Sequence, residues 1–252
     1  MIDIHSHVLW GLDDGAETRE ESAAMLVMAA SSGTTDIVAT PHANSEYKFD
    51  AAIVAEKILE LGKLENVPRI HRGCDFHLSL ENIQDALRDP SKYTINGLNY
   101  MLVEFADAFI PPSTEEIFRQ FVARGIVPIV THPERNPLLQ GAAVRLENWT
   151  SMGCLLQVTA QSLTDRFGKA AQQSAWRLLR KGLVHAIASD AHDTVHRPPR
   201  LDHARELLTE QLGAEVAQLL LVENPAAVIA GEKVWMQAPA PDPPKRKKWF
   251  FF

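Results

Sequence analysis

Met1-Ile2-Asp3-Ile4-His5-Ser6-His7 opens the chain and decides how the rest is read. Apolar and polar residues alternate from Ile2 to His5, the period of a β-strand. In a strand, residues i and i+2 project to the same side, so His5 and His7 point together and can reach one cation. The turn that follows, Gly11-Leu12-Asp13-Asp14-Gly15, brings two carboxylates close to the pair. A His-x-His pair alone is a weak signal. Its weight depends on other strands delivering ligands to the same place.

Outward from that stretch, strand and helix patterns alternate. Strands are predicted over 2–8, 35–40, 69–78, 100–105, 126–131, 154–159 and 183–188. Helices are predicted over 18–32, 50–65, from 79, and over 114–124, 142–152, 169–181, 201–212 and 214–221. Thr18, with Glu20 and Glu21 behind it, is a helix start, while Gly33, Gly125 and Gly182 close helices. Most strands are apolar on both faces, as in parallel β-structure covered by helices. No Gly-rich phosphate loop follows the first strand, which argues against a dinucleotide fold. The expected fold is an α/β seven-stranded (β/α) barrel over residues 1–235, without internal repeats.

The chain has 252 residues and 46% hydrophobic content, enough for one large domain that folds without disulfides or metal. A net charge of −7 and the lack of clustered Lys and Arg before the C-terminus exclude a nucleic-acid partner for the main body. The two cysteines, Cys74 and Cys154, sit in apolar runs and read as buried thiols of a reducing compartment. Met1 leads into an acidic strand, so no signal peptide is expected. No apolar run approaches the about 20 residues of a membrane span, so a cytoplasmic protein is expected. Residues 236–252 differ: a Pro-rich linker precedes Lys245-Arg246-Lys247-Lys248 and Trp249-Phe250-Phe251-Phe252. Such a tail suits an anionic membrane surface or a partner, or makes no specific contact.

Polar residues that end or directly follow apolar strands form one set: His5, His7, Asp14, His42, Asp75, Glu104, His132, Asp190 and His192. In a (β/α) barrel these strand ends converge on the face that holds the active site. Imidazoles with carboxylates and no thiolate suit Zn²⁺, Mn²⁺ or Fe²⁺. The set exceeds the coordination of one ion, so two or three divalent ions sharing carboxylates are expected. Such clusters hold a phosphate ester and lower the pKa of bound water. Glu104, inside Met101-Leu102-Val103-Glu104-Phe105, would be costly to bury without a cation. Arg135 and Arg197 lie near His132 and His192 and have the fork geometry that grips phosphate. His71, His77, His185, His196 and His203 are expected to be surface or support residues.

Six ordered motifs carry a resemblance: the opening strand, Gly11-Leu12-Asp13-Asp14-Gly15-Ala16, Ala39-Thr40-Pro41-His42, Val103-Glu104-Phe105, Thr131-His132-Pro133-Glu134-Arg135 and Ala188-Ser189-Asp190-Ala191-His192. Over about residues 1–230 the chain resembles the PHP (polymerase and histidinol phosphatase) superfamily. Within it, the chain is similar to the bacterial metal-dependent protein-tyrosine phosphatases of capsule and exopolysaccharide loci. The resemblance implies a distorted seven-stranded barrel with a trinuclear centre, often manganese, with His5, His7, Asp14, His42, Glu104, His132, Asp190 and His192 as ligands. At the strand-three position, where the family usually has Glu, this chain has Asp75, one methylene shorter. Arg135 and Arg197 are implied to hold the phosphoryl group. The implied substrate is the phosphotyrosine-rich tail of a membrane tyrosine autokinase governing polysaccharide export.

A phosphocysteine route is not expected, because the sixth residue after Cys74 is Leu80 rather than an arginine. Two other readings stand beside the phosphotyrosine one. The same chemistry on a small ester such as histidinol phosphate would use every one of these ligands. A non-catalytic module that binds a kinase tail would bind metal without turnover.

Overall fold

The computed structural model describes residues 1–236; the tail Lys245–Phe252 and the linker before it lie outside the described residues. Nine strand segments, all parallel, run β1 Ile2–Ser6, β2 Asp36–Ala39, β3 His42–Ala43, β4 Arg69–Arg72, β5 Asp75–His77, β6 Tyr100–Glu104, β7 Val127–Thr131, β8 Leu155–Thr159 and β9 Ala186–Ala188. They form two sheets, β1-β2-β4 and β3-β5-β6-β7-β8-β9. The expected second and third strands are each interrupted. Pro41, which has no N–H to donate, separates β2 from β3. Gly73-Cys74 separates β4 from β5, and a Cβ at Gly73 would lie 2.7 Å from Val38 Cγ1 and 2.9 Å from Thr40 Cγ2. Joined across these breaks, the segments make the seven strands of the sequence pattern.

The ring closes between its first and last members. Asp190 N donates to His5 O (2.9 Å), His7 N donates to Ala191 O (2.8 Å), and Ser6 bridges Ala191 in parallel. Helices α1 Arg19–Ser31, α2 Ala51–Leu61, α3 Leu80–Arg88, α4 Thr114–Ala123, α5 Ala143–Ser151, α6 Gly168–Arg180 and α7 Asp202–Leu212 alternate with the strands. The Thr18 hydroxyl caps α1 by accepting from Glu21 N.

Strand residues divide by parity. Val103, Val130, Leu156, Val158 and Ile187 pack outward against helices, with Phe118, Phe121 and Trp149. Leu102, Ile129, Ala186 and Ala188 pack inward with Ile2, Ile4 and Val38. One step further along the same inward rows stand Glu104 and Asp190, two residues beyond Leu102 and Ala188. An apolar floor therefore underlies the polar site as a lower layer of the same barrel.

The opening strand departs from simple alternation. Asp3 pairs with Ile37 and Ser6 with Ala39, so three steps on β1 oppose two on β2. Strict alternation from Ile2 and Ile4 would turn His5 outward. The bulge lets Ile4 join the floor while His5, the next residue, also reaches the interior, where its Nδ1 meets Gln157 Oε1.

The C-terminal end also differs from expectation. The predicted helix over 214–221 is α8 Ala214–Gln218, which passes through a π-helical turn, Leu219–Glu223, into a further helix, α9 Asn224–Ala230. Pro225 stands in the first turn of α9, directly after the π-helical turn, and offers no N–H to the helical turn before it. The buried Asn224 amide ties that turn down by donating to His185 O and Trp235 O.

Candidate metal centre

Each strand end delivers its polar residue to one place. His5 and His7 come from the bulge of β1 and the residue after it, His42 from the start of β3, Asp75 from β5 and Glu104 from the end of β6. His132 follows β7, and Asp190 and His192 follow β9. His132 (φ +31°) and Asp190 (φ +52°) adopt left-handed backbone that non-glycine residues rarely take. Strain of this kind is held where surrounding structure overdetermines it, here where the chain must turn to aim a side chain. Asp14 arrives on the turn after β1. That turn lies so close to His7 that a Cβ on Gly15 would sit 2.2 Å from His7 O and 2.6 Å from His7 Cβ.

All nine residues singled out by strand-end position fall into overlapping groups whose donor atoms lie within 4.8 Å of one another. His5 Nε2 lies 3.4 Å from Asp190 Oδ1 and 3.6 Å from Asp75 Oδ2, and His7 Nε2 lies 3.5 Å from Asp190 Oδ1. His42 spans two groups, with Nδ1 3.2 Å from Asp75 Oδ2 and Nε2 3.4 Å from Asp14 Oδ1. His192 Nε2 shares that Asp14 oxygen at 3.5 Å, and His132 Nε2 lies 3.4 Å from Glu104 Oε1. Asp75, one methylene shorter than Glu, still reaches both His5 and His42.

His77, expected as a support residue, joins the cluster: its Nε2 makes a close contact with Glu104 Oε2, and it groups with His42 and Glu104. Asp75-Phe76-His77 repeats the i, i+2 spacing of His5/His7 and of Asp190/His192, and that repetition is the signal in the sequence that points to it. His71 bonds Asp36, His185 lies buried against Leu156 N, and His196 and His203 are exposed.

Three features fit this donor set to divalent cations. Both oxygens of Asp75 are buried without a hydrogen bond of proper geometry, and only Oδ2 has neighbours at ion-pair distance, His5 and His42. A buried carboxylate left in that condition is strongly unfavourable without a cation. Secondly, three imidazoles are held from behind: His5 Nδ1 donates to Gln157 Oε1 (3.0 Å), His7 Nδ1 to Asp13 Oδ2 (2.6 Å) and His192 Nδ1 to Asp190 O (3.0 Å). With Nδ1 carrying the proton, each Nε2 turns its lone pair into the cluster, the tautomer that a metal-ligating histidine needs. Thirdly, His5 Nε2 and His7 Nε2 face each other at 3.3 Å, a distance bridged either by a proton on one of them or by a cation that both hold.

The electrostatics agree. Burial works against charging His42, yet Asp14, Asp75 and Glu104 outweigh it and push the imidazole up to about 11. Burial likewise opposes His7, but Asp13 and Asp190 carry it up to about 9. Burial, with Arg135 beside it, drives His132 well below the usual range, and burial with the neighbouring His7 takes His192 down to about 4. The five carboxylates of Asp13, Asp14, Asp75, Glu104 and Asp190 thus demand positive charge, and protons on His7 and His42 supply it where cations are absent.

Two arginines border the cluster. Arg135 Nη1 and Arg197 Nη2 both donate to Asp190 Oδ2, the oxygen facing away from His5. Arg135 also lies 4.2 Å above the Phe167 ring. The loop that carries His132 and Arg135 is pinned by buried Glu134, whose Oε1 accepts from Thr159 N (3.0 Å) and Ser162 Oγ (2.7 Å). Burial pushes that carboxyl up to about 7.

Fold and cluster together define a class: parallel α/β-barrel enzymes that work through divalent metal ions at the C-terminal ends of their strands. Within that class the chain belongs to the capsular polysaccharide synthesis CpsB/CapC family, which matches residues 1–230. It is 33% identical to the tyrosine-protein phosphatase YwqE of Bacillus subtilis over the whole of both chains. It is 29% identical to the tyrosine-protein phosphatase CpsB of Streptococcus pneumoniae, over 93% of this chain and 100% of that one. Among solved structures it superposes at a TM-score of 0.88, with 30% identity, covering 97% of this chain and 100% of the other, on a structure from work on YwqE and CpsB, described as unique metal-dependent tyrosine phosphatases. The phosphotriesterase homology protein of Escherichia coli, at a TM-score of 0.60 and 10% identity, shares the fold alone.

Proposed function

We propose that this chain is a metal-dependent protein-tyrosine phosphatase that hydrolyses phosphotyrosine on a bacterial tyrosine autokinase controlling capsular or exopolysaccharide synthesis. The observation that carries the reading is the juxtaposition at Asp190. One of its oxygens faces His5 and His7 in the donor cluster, and the other receives Arg135 and Arg197. An anion-gripping pair thus stands beside a cation-gripping cluster, as a phosphate ester requires.

His5, His7, Asp14, His42, Asp75, Glu104, His132, Asp190 and His192 hold the ions, two or three in number, with manganese the expected metal and iron or zinc the alternatives. Bound divalent ions supply Lewis acidity and lower the pKa of water held at the site. The chain's own residues do the rest. Arg135 and Arg197 grip the phosphoryl oxygens and offset the charge that grows on them. Asp190 keeps the two guanidinium groups side by side. Asp13 and Gln157 fix the tautomers of His7 and His5. No thiol takes part: Cys74 and Cys154 are both buried.

The phosphatase domain is taken as residues 1–235, and residues 236–252 as a linker and tail whose composition suits an anionic membrane surface or a partner, or makes no specific contact. Among the described residues no helix is long and apolar enough to cross a membrane. That agrees with work at the cytoplasmic side, where a kinase tail is reached. Two assays test the proposal. Chelation should abolish turnover of p-nitrophenyl phosphate, and added Mn²⁺ should restore it; a rate indifferent to both overturns the metal chemistry. A phosphotyrosine peptide should be hydrolysed faster than histidinol phosphate; the reverse order overturns the substrate.

A further inference from the structure

A cleft of about 140 Å³ opens directly off the donor cluster. His77 and Glu104 line its cluster side and Leu78, Phe105, Phe109 and Pro111 its apolar part, with Asn44, Ser45 and Ser79 as further polar lining. Phe105 is buried and stacks on Trp149 at 5.4 Å, so its position is fixed by the core. Phe109 is different: it is 60% exposed, although its neighbour Ile110 is buried. The segment that presents it is tied at both ends. Asn136 Nδ2 donates to Ala106 O (3.2 Å), and Thr114 Oγ1 donates to Pro111 O (2.6 Å). Asn136 belongs to the same loop as His132 and Arg135, so Phe109 is referenced to the phosphate-gripping residues. An aromatic ring is thus exposed at the mouth of a polar site, on a segment hydrogen-bonded at both ends.

We infer that Phe109 is a specificity-determining residue whose ring, with the Phe105–Pro111 wall, receives the tyrosyl ring of the substrate. The inference rests on the phosphotyrosine reading above and names the part of the site that selects the ester's organic half. An ester whose phosphoryl group sits at the cluster beside Glu104 can lay its first carbon atoms along this wall. In an aryl phosphate those atoms are a flat apolar ring bonded through oxygen to phosphorus, which matches an aromatic partner in shape and polarity. In a phosphoserine residue they are one methylene followed by polar backbone, which offers no ring to the Phe105, Phe109 and Pro111 side of the cleft.

The test uses the metal-loaded full chain, as wild type, Phe109→Ala and Phe109→Trp, with melting curves to establish that each variant folds. kcat and KM are measured on two peptides identical but for phosphotyrosine or phosphoserine, and inhibition is measured with phenylphosphonate and methylphosphonate. In Phe109→Ala the preference for the aromatic over the aliphatic member should fall about tenfold in both pairs, through KM and the inhibition constant. Phe109→Trp should retain it. If the wild type prefers phosphotyrosine and Phe109→Ala keeps that preference, the inference fails while the phosphatase reading stands. If the wild type itself shows no preference for the aryl ester, the inference and the phosphotyrosine reading fall together.

Discussion

Asp13→Asn is the substitution that best isolates how the metal pocket is held. The Asp13 side chain is fully buried and each of its oxygens is committed. Oδ2 accepts from His7 Nδ1 at 2.6 Å and from His42 N at 3.0 Å, while Oδ1 accepts from Gly15 N at 3.0 Å. All three partners are donors. An asparagine has one acceptor and one NH₂, so one end of it must face a buried N–H with another N–H. If the NH₂ faces His7, the imidazole proton is driven onto Nε2 and the metal-facing lone pair is lost. If it faces Gly15, the turn carrying Asp14 is pushed away. The whole acidic surround lifts His7 from 6.5 to about 9. Burial works against that rise, so the net shift sets a lower limit of roughly 3 kcal/mol for all its acidic partners together. Asp13 carries a large share of it, so metal affinity should weaken by about 10–100-fold, the range typical of such supporting carboxylates. Affinity is read by competition of Mn²⁺ against a chromogenic chelator at fixed pH, with metal content after dialysis as a second measure. Wild-type affinity in a folded Asp13→Asn protein would refute the account of how His7 is oriented.

Other expectations follow from the same geometry. Gly15→Ala should destabilise the protein by about 1–3 kcal/mol, because the new methyl meets His7 backbone; chemical denaturation reads the loss, and an unchanged midpoint refutes the close approach. Neither cysteine should react with a thiol reagent in the native state, since burial pushes Cys154 up to about 12 and Cys74 well above its usual value; full reaction before unfolding would contradict this. Glu134 gives a pH signature. Its folded pKa, about 7, exceeds its ordinary 4.5, so the native state holds a proton that the unfolded chain releases, and this term is fully favourable below 4.5 and lost as pH rises through 7. In Glu134→Gln that loss should vanish, leaving the variant's stability relative to wild type higher at pH 8 than at pH 4 by up to roughly 3 kcal/mol. Parallel stability-versus-pH curves for the two proteins would refute it.

The strand ends were legible because burial and charge conflict there. Glu104 after Met101-Leu102-Val103, or Asp190 after Ala186-Ile187-Ala188, stands out against an apolar run, and the barrel then gathers such residues. His77 was harder to see, since Arg69–His77 is polar enough to hide one more polar residue. Asp13 and Gln157 act on the backs of His7 and His5, and their roles exist only once distant segments meet. Gln157 belongs to a strand 152 residues from His5. The bulge in β1 is also a product of the assembled sheet. The i, i+2 rule correctly joins His5 to His7, but the inward turn of that pair depends on the offset between Asp3–Ser6 and Ile37–Ala39. Pro41 marks a strand break that any reading could find, whereas the break at Gly73 follows from the contact with Val38 and Thr40.

The closing seam of the barrel has a kinetic consequence. The backbone of His5 and His7 is stitched to Asp190 and Ala191, and buried Asp3 bonds Ser189 N from 186 residues away. β1 must therefore wait for the segment after β9 before it has a second neighbour. Contacts of such long sequence separation form slowly, because loop closure must be completed before they are rewarded. The donor residues of the first and last motifs come together only when that seam zips, so a chain still short of His192 presents no complete cluster. Cation capture is then a late event in the maturation of the molecule, and a high-affinity metal signal in a refolding experiment would report ring closure rather than collapse.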